Sequence, residues 1–554
     1  MNRKCIYSAL LAGVSVVLMA QDPSIDRNVT VEREYQPVIE DAGKITTLPE
    51  ILEPSATRLR VDYGDVFQPL PLGRFLQSLP MTAYQAEQGR RQEAFIRLGL
   101  GNYWNTMGEL TLPVIKKEKD RLDVNIEHRG TFGRRKFSET QGSIDYNHLF
   151  KTIELFASVG GNHRFFNYFG SHFSPSGNRL PADTLTGVVA DDSHMAYNGT
   201  IGFRTISDRS RFRHKGELKY DALSTNSGWK ENIVNARYGF STPYKKDRYG
   251  IDFDLQNLTY EAPALSSYVH PDYSVLTLNP YYLIEREKAS VRLGLSSTFS
   301  FVTGRAFNPS PDIHGEWKVF PKFLAVYGGV GGDFVTVTSA RLFNENPWVR
   351  PSLRVKDTYT PFKPYLGVKL KPAHFLLLDG FVEYNSIKDQ YFFVNDPAMV
   401  TRQTGATFPI LANWFGVEYS DASLVRFGGR LAFQYKNQIS SSVKLVANKW
   451  TTESIAQAWM KPALEADWNI DVKVNPNLTI SSNFYYEGER FARLGSQVVE
   501  MNPVADLNLS ASYFFNRTFS SFVKLNNILN SNYEQFLGYD VQGFNFMLGG
   551  AISF

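Results

Sequence analysis

The chain has 554 residues, one Cys and a formal net charge of +4, with 43% hydrophobic, 21% charged and 14% aromatic residues. These proportions exclude a disordered or collagen-like chain, and a single Cys excludes a disulfide framework and a Cys-based metal site. The charges are too evenly balanced to favour nucleic acid as a partner. The length fits either several ordinary domains or one large barrel.

The first twenty residues have the pattern of a secretory signal. Arg3 and Lys4 precede a mostly apolar run over residues 6–20, and the sequence turns polar at residues 21–23. The run is short for a membrane-spanning helix, whereas a charged head before an apolar stretch is typical of exported proteins. We therefore predict a signal peptide over residues 1–20, and its removal would also remove Cys5.

The next segment, residues 21–92, contains seven Pro and reads as an extended periplasmic or lumenal stretch rather than a folded domain. Within it, residues 29–35 alternate as a short strand would. One interpretation is a contact strand that adds to the sheet of a periplasmic partner; the other is a linker resting on the inner face of a barrel. The residues of this candidate contact strand are Val29, Val31, Arg33 and Tyr35.

From residue 93 to residue 554 the sequence alternates between apolar and polar side chains, which predicts strands with one apolar and one polar face. The first of these strands opens with Ile96, Leu98 and Leu100 on one face and Arg97 on the other. A later one, residues 464–474, places Leu, Ala, Trp, Ile and Val on one face and Glu, Asp, Asn and Lys on the other. Aromatic residues near strand ends are typical of membrane interfaces.

This pattern predicts an all-β fold, a large transmembrane antiparallel β-barrel of about 22 strands (20–22), in the outer membrane of a Gram-negative bacterium. An even number of strands places both chain ends on the periplasmic side. Short turns are predicted at residues 208–210, 245–247 and 285–287, and longer extracellular loops near 167–195, 339–361 and 397–412. Residues 386–425 do not divide cleanly into strands. A secreted sandwich or solenoid is the alternative fold.

The first long loop carries two sets of candidate residues. An aromatic group at its start is interpreted as loop packing or as a contact for a ligand or partner; its members are Phe165, Phe166, Tyr168 and Phe169. Five residues around the same loop could in principle bind a metal, but their spacing fits no common ligand pattern, so no metal site is predicted. These five residues are His163, His172, Asp191, Asp192 and His194. Five acidic residues of the last strands are expected to face water in the lumen: Glu465, Asp467, Asp471, Glu487 and Asp506.

The closing strands carry a family resemblance. Residues 505–509 (ADLNL), 522–530 (FVKLNNILN) and 541–546 (VQGFNF), together with the run to Phe554, resemble the last strands of TonB-dependent receptor barrels of the Bacteroidetes type. The opening residues 97–103 (RLGLGNY) are similar to the start of a plugless group of such barrels. The resemblance implies that Phe554 and Ile552 form a C-terminal signal that the barrel-insertion machinery reads.

The same resemblance implies a receptor-like barrel that transports a solute across the outer membrane, surrounded by lipid and working with a periplasmic energiser. A full receptor of that kind has a globular plug before its barrel, and residues 21–92 show no Gly-rich plug pattern. This departure favours the alternative, a non-transport scaffold barrel that assembles with envelope proteins or lipoproteins for surface assembly or export. No Ser, His and acid cluster stands out, so an enzyme is not predicted, and no cofactor is expected.

Overall fold

A computed structural model describes residues 94–180, 191–207, 210–264, 266, 269–353, 355–401 and 407–554. The predicted signal peptide over residues 1–20 and the predicted Pro-rich segment over residues 21–92 lie outside these residues. So do the candidate contact strand at residues 29–35 and the first two residues of the turn predicted at 208–210.

Twenty-two antiparallel strands form one closed sheet, which confirms the predicted barrel and its strand number. The barrel strands are β1 (Phe95–Gly101), β2 (Asn105–Lys116), β3 (Asp120–Phe132), β4 (Lys136–Leu149), β5 (Ile153–Asn167), β8 (Asp191–Thr205), β9 (Arg213–Thr225), β10 (Lys230–Tyr244), β11 (Asp247–Glu261), β12 (Tyr273–Glu285), β13 (Ala289–Phe301), β14 (Phe307–Phe320), β15 (Leu324–Val335), β16 (Thr358–Ala373), β17 (Leu376–Thr401), β18 (Thr407–Tyr435), β19 (Ile439–Thr452), β20 (Leu464–Asn475), β21 (Leu478–Glu487), β24 (Val504–Phe514), β25 (Phe519–Asn526) and β28 (Asn545–Ser553).

Six short strands lie in the connections between them: β6 (His172–Phe173), β7 (Arg179–Leu180), β22 (Arg490–Leu494), β23 (Gln497–Met501), β26 (Glu534–Phe536) and β27 (Tyr539–Asp540). One α-helix, α1 (Ser339–Glu345), follows β15, and a 3-10 turn, Asn102–Trp104, joins β1 to β2. Among the described residues, no helix is both long and apolar enough to cross a membrane.

The barrel closes where its first and last strands pair. β1 and β28 are antiparallel, from Phe95 opposite Ser553 to Gly101 opposite Met547. Beyond them, Ala94 and Phe554 exchange two backbone hydrogen bonds of 2.9 and 2.8 Å. Closure leaves no unpaired sheet edge around the wall. Because both strand termini lie at this end, we call it the terminal end, and the opposite end the outer end.

The strands present the predicted apolar face outward. Leu98 and Leu100 are 62% and 68% exposed, whereas Arg97 between them is 1% exposed. The last strand repeats this arrangement, since Leu548 is exposed and Met547 is buried. Successive side chains of a strand point to opposite faces, so one parity forms an apolar outer surface and the other lines the lumen with polar groups.

Connections at the terminal end are short, as predicted. Lys245 and Lys246 alone join β10 to β11, and residues 286–288 join β12 to β13. After β20, the side chain of Asn475 accepts hydrogen bonds of 2.9 Å from the backbone N–H groups of Asn477 and Leu478. Such an Asx turn allows the chain to reverse in two residues.

The prediction of a long loop at residues 397–412 is wrong, because β17 continues to Thr401 and β18 begins at Thr407. These strands have 26 and 29 residues and extend well past their neighbours, which explains why residues 386–425 resist division into ordinary strands. Pro397 is accommodated at a register shift in the ladder between Asn395 and Pro397. Apolar side chains nearer the barrel on these strands, such as Val394 and Leu411, are buried at the outer end, whereas Met399 near the tip is 65% exposed.

Candidate functional site at the outer mouth of the barrel

A connection crosses the outer mouth from one wall to the other. The segment after β5 contains β6, whose Phe173 pairs with Leu411 of β18. β5 is the fifth and β18 the sixteenth of the 22 barrel strands, so the two strands lie on opposite sides of the ring. The segment that contains β6 therefore spans the diameter of the barrel.

Beneath and around this crossing lies an apolar cluster that we call the mouth core. Its aromatic rings are closely packed: Trp348 stacks on Tyr539 with ring centroids 3.8 Å apart, and Phe536 meets Phe393 edge-on at 5.8 Å. Burial of this kind contributes about 1.5–3 kcal/mol per large apolar side chain. The buried members are Phe137, Phe166, Phe173, Leu223, Val337, Leu342, Phe343, Trp348, Val349, Tyr391, Phe393, Leu411, Phe415, Met460, Ala492, Leu494, Met501, Phe536, Leu537 and Tyr539.

The members of the mouth core come from barrel strands on opposite walls and from five outer connections. These connections are residues 168–180, 336–357, 453–463, 488–503 and 527–544. Only the first two were predicted from the sequence to be long loops. Strands and connections of the described residues thus form a packed layer at the outer end.

Helix α1 lies within this layer and is held at its first turn by the barrel wall. Glu231 of β10 accepts hydrogen bonds from the backbone N–H groups of Ser339 (2.6 Å) and Ala340 (3.2 Å). The side chain of Thr338 accepts from the N–H of Arg341 at 3.1 Å, which makes Thr338 the N-cap. Three of the four N–H groups that a helix start leaves unpaired therefore have partners.

The other end of α1 is held by three further parts of the chain. Arg164 of β5 donates from Nη1 to the carbonyl oxygen of Phe343 at 2.9 Å. The carboxylate of Glu345 accepts from the hydroxyl of Tyr391 on β17 and from Nζ of Lys461 at 3.0 Å. One short helix is thereby connected to β5, β10, β17 and the connection after β19.

Two buried carboxylates attach the segment that carries α1 to the wall. Glu231 is only 2% exposed, and both of its oxygens accept from backbone N–H groups of α1. Burial raises the pKa of Asp357 to about 6; its carboxylate accepts from Tyr273 at 2.9 Å and from the N–H of Val337 at 3.0 Å. The segment that carries α1 is therefore attached to the wall through carboxylates that have little access to water.

The lumen wall below the mouth carries ion pairs between neighbouring strands. Glu139 lies between Arg129 and Arg164, each with a nitrogen 2.6 Å from one of its oxygens. Further round the ring, Lys369 and Glu316 form a fully buried pair at 2.9 Å. In each case a buried charge contacts a charge of opposite sign. Such pairs allow charged side chains to line the lumen, which faces away from lipid.

Four of the five acidic residues predicted to face the lumen have polar partners, among them Glu465, which accepts from the side chain of Asn448 at 2.6 Å. Asp506 accepts from the hydroxyl of Tyr533 at 2.8 Å, and Glu487 lies 3.2 Å from Arg490. Asp467 accepts hydrogen bonds from the side chains of Asn469 and Asn483. Their side chains therefore take part in the polar packing of the wall.

The four aromatic residues singled out in the first long loop divide between two environments. Phe166 is buried in the mouth core, and Tyr168 and Phe169 pack against it. Phe169 also contacts Trp348 and Tyr539 edge-on, at 5.7 and 5.0 Å. Phe165 is only partly buried and pairs with Ser193 on the neighbouring strand β8.

The five His and Asp residues considered for a metal are separated. His194 is buried against Phe343, with ring centroids 4.1 Å apart, whereas Asp191 pairs with Lys136 at the surface at 2.9 Å. Burial lowers the pKa of His172, in the connection after β5, to about 4. Within the part of the chain that the structure describes, no group of three or more His, Cys, Asp or Glu side chains is placed to hold a metal ion.

Phe554 and Ile552, the residues of the predicted C-terminal insertion signal, are 63% and 43% exposed on the outer surface of the barrel. They lie at the terminal end beside Ala94. Their position on the apolar surface places them where another protein or lipid could contact them.

Sequence reasoning missed the residues that hold α1, namely Glu231, Arg164 and Tyr391. One local signal was present, because Thr338 is a favoured N-cap residue and precedes Ser-Ala-Arg-Leu-Phe, a run without strand alternation. Glu231 and Arg164 carry no such signal. Their roles depend on contacts more than one hundred residues distant in the chain.

Comparison with known proteins gives likeness at the level of structure. No protein-family model matches the sequence, and no curated protein matches it. The siderophore receptor PirA from Acinetobacter baumannii superposes with a TM-score of 0.64 and 11% identity, covering 84% of this chain and 81% of that one. The ferric-catecholate import receptor Fiu from E. coli K12 gives 0.59 and 10%, covering 84% and 82%. The copper transporter OprC gives 0.58 and 12%, covering 84% and 81%. The chain therefore has the fold of these barrels.

Proposed function

We propose that this protein is an outer-membrane uptake barrel, related to TonB-dependent receptors, that admits a solute through its lumen. The observation that carries the proposal is the likeness of fold over 84% of the chain to a siderophore receptor, a ferric-catecholate import receptor and a copper transporter. The residues of the closing strands that resemble TonB-dependent receptors point the same way. Nothing in the proposal requires a catalytic role.

The mouth supplies a physical basis for control of entry. The hydrogen bonds at Glu231, Arg164 and Glu345 attach α1 to the wall. Each such bond contributes about 0.5–3 kcal/mol, and displacement of α1 would also expose Leu342 and Phe343 of the mouth core, so ligand binding would have to offset both costs. Displacement of α1 would open a path between the outer end of the barrel and the polar lumen.

The proposal extends to parts of the chain outside the described residues. Residues 21–92 would form an extended lead without a globular plug, as in a plugless group of the Bacteroidetes type. Within it, Val29, Val31, Arg33 and Tyr35 would add a strand to a periplasmic energiser, since the barrel begins at the terminal end. Lipid would surround the apolar wall, and the insertion machinery would recognise Phe554.

Planar-bilayer recording with potassium chloride tests the uptake path. We expect low conductance for the intact protein, and higher conductance after deletion of residues 21–92 or after the double change Glu231→Ala and Arg164→Ala. The matched control is Lys136→Ala, which removes a surface ion pair with Asp191 that does not touch α1. If none of the forms that migrate on gels as a folded barrel conducts, the result would contradict a path through the lumen.

The mouth core favours a second candidate, a scaffold barrel in an envelope complex. A layer that buries twenty apolar and aromatic residues across the mouth is costly to open, and a permanently closed barrel needs no plug. Gentle purification from the native membrane discriminates the two. Stoichiometric envelope partners without conductance support the scaffold, whereas a barrel that conducts after the α1 contacts are removed supports uptake.

A further inference from the structure

A cleft of about 570 Å³ lies beside the outer part of the β17–β18 hairpin. Its walls come from four parts of the chain: the segment after α1, the hairpin itself, β22, and Ser266 in the connection after β11. The volume falls within the range of about 300–1,000 Å³ that is usual for small-molecule sites. None of the residues that line it was a candidate from the sequence.

Two ion pairs lie on the walls of the cleft, and each joins two of these parts of the chain. Nη1 of Arg350, after α1, lies 2.8 Å from Oδ2 of Asp396 on β17. Nη1 of Arg493 on β22 lies 2.7 Å from Oε1 of Glu418 on β18. The side chains of Arg350 and Arg493 are 45% and 34% exposed, and both line the cleft.

One further contact and one glycine fix the positions of the carboxylates. Glu418 accepts a second hydrogen bond, from Nε1 of Trp459 at 3.1 Å. Gly416, which pairs with Val394, lies beside Asp396, and a Cβ atom there would lie 3.1 Å from Oδ1 of Asp396. A side chain at position 416 would therefore press on this carboxylate. Gly416 allows Asp396 to remain where it meets Arg350.

The charge pattern selects between classes of ligand. The four charged side chains sum to zero, and each Arg already has a carboxylate in contact. A simple anion would compete with Asp396 and Glu418, and a simple cation would compete with the two Arg. A ligand with both charges avoids this conflict, because its carboxylate can approach a guanidinium while its ammonium group approaches a carboxylate.

The remaining lining suits a short chain of amino acids. Leu353, Val394 and Pro397 supply apolar wall between the charged positions. We propose that this cleft binds short peptides in their zwitterionic form, with the peptide carboxylate at Arg350 or Arg493 and the peptide ammonium group at Asp396 or Glu418. The inference deepens the proposed uptake function, since it names the class of solute, and rests on that function for its role in the cell.

Isothermal titration of the purified full-length protein in detergent tests the binding directly. The probes are the tripeptide Ala-Leu-Ala, its N-acetylated form, its C-amidated form and inorganic phosphate. We expect saturable binding of the free tripeptide, and at least about tenfold weaker binding of each blocked form, because each has lost one charged contact. Equal binding of all three peptides, no binding of any, or binding of phosphate alone would overturn the proposal.

Variants locate the binding. Asp396→Asn with Glu418→Gln should abolish the preference for the free tripeptide over the N-acetylated form, because no carboxylate is left to contact the peptide ammonium group. The N-acetylated form should bind at least as well as before, because Asp396 and Glu418 no longer compete with its carboxylate for Arg350 and Arg493. Lys356→Gln is the matched control, since its ion pair with Asp389 lies outside the cleft. A double variant that keeps the preference of about tenfold for the free tripeptide overturns the assignment to this cleft. Binding without conductance would count against the uptake path alone, so the two proposals fail separately.

Discussion

The carboxylate of Glu231 on β10 accepts a hydrogen bond of 2.6 Å from the backbone N–H of Ser339 at the start of α1. The two residues are more than one hundred positions apart, and one belongs to the wall while the other belongs to the mouth. This contact, with the one at Ala340, fixes where the helix begins. It therefore connects the stability of the mouth to a single buried side chain.

Replacing Glu231 with Ala should loosen α1 without disrupting the barrel. The change leaves the N–H groups of Ser339 and Ala340 without acceptors, at a cost of about 1–3 kcal/mol. We expect faster hydrogen exchange at residues 339–345 and unchanged exchange in β1 and β28. The control is Glu261→Ala, whose exposed pair with Lys230 lies at the same end of the barrel. Equal protection of the helix in both variants would contradict the assigned contact.

A second prediction concerns Arg164, which binds the wall and the helix at once. Its guanidinium contacts Glu139 and also donates to the carbonyl of Phe343. Because Arg164→Ala removes one partner of a buried charge, we expect a loss of about 3–5 kcal/mol in the free energy of unfolding. Lys136→Ala should cost no more than about 1 kcal/mol, since its pair with Asp191 is exposed. Guanidinium unfolding of both variants in detergent measures the difference, and similar losses would count against a buried role for Arg164.

The barrel wall could be predicted from sequence because strand alternation is a local property. Arg97 faces inward and Leu98 faces outward, and the alternation of polar and apolar residues around them is enough to predict this. The turn at Asn475 is equally local, since its side chain bonds to amides two and three positions on. These features need no knowledge of distant parts of the chain.

The mouth could not be predicted in this way. Trp348 stacks on Tyr539, almost two hundred residues later, and neither position differs in pattern from other aromatic residues of the strands and loops. Phe393 and Phe415 lie in residues 386–425, which do not divide cleanly into strands on sequence alone. The reason is that both faces of β17 and β18 are buried around these two residues. Alternation disappears when both faces of a strand are apolar, and the periodic signal disappears with it.

The pairing of Phe173 with Leu411 predicts that the mouth can be locked covalently. A Phe173→Cys and Leu411→Cys double variant should form a disulfide under oxidising conditions, because paired residues of antiparallel strands lie at a suitable distance. The chain has one native Cys, at position 5, which the predicted signal peptide would remove. If the lumen is an uptake path opened at the mouth, conductance of the Glu231→Ala background should fall on oxidation and return on reduction. Single Cys variants are the control, and conductance indifferent to the crosslink would contradict opening at this place.

A fourth prediction addresses pH through Asp357. Burial raises its pKa in the folded protein to about 6, from an ordinary value of 3.8, so the folded state holds its proton more tightly. The resulting stabilisation is fully present below pH 3.8 and is lost as the pH rises through about 6. We therefore expect the difference in unfolding midpoint between pH 5 and pH 7 to shrink in Asp357→Asn. Asp389→Asn, at an exposed carboxylate, should keep the difference of the unaltered protein. An unchanged difference in Asp357→Asn would show that another group titrates.

The last prediction concerns assembly and the exposed C-terminal residue Phe554. It is 63% exposed on the apolar surface at the terminal end, beside the seam where β28 meets β1. Replacing Phe554 with Ser should lower the yield of heat-modifiable barrel in the outer membrane, because the resemblance to receptor barrels implies that a terminal aromatic is read during insertion. Phe515→Ser is the matched control, since Phe515 is 61% exposed in a turn at the same end and loses the same apolar area. If both variants reduce the yield equally, general loss of lipid contact explains the effect and the terminal position has no special role. If only Phe554→Ser reduces the yield, the insertion signal lies in the C-terminal residue.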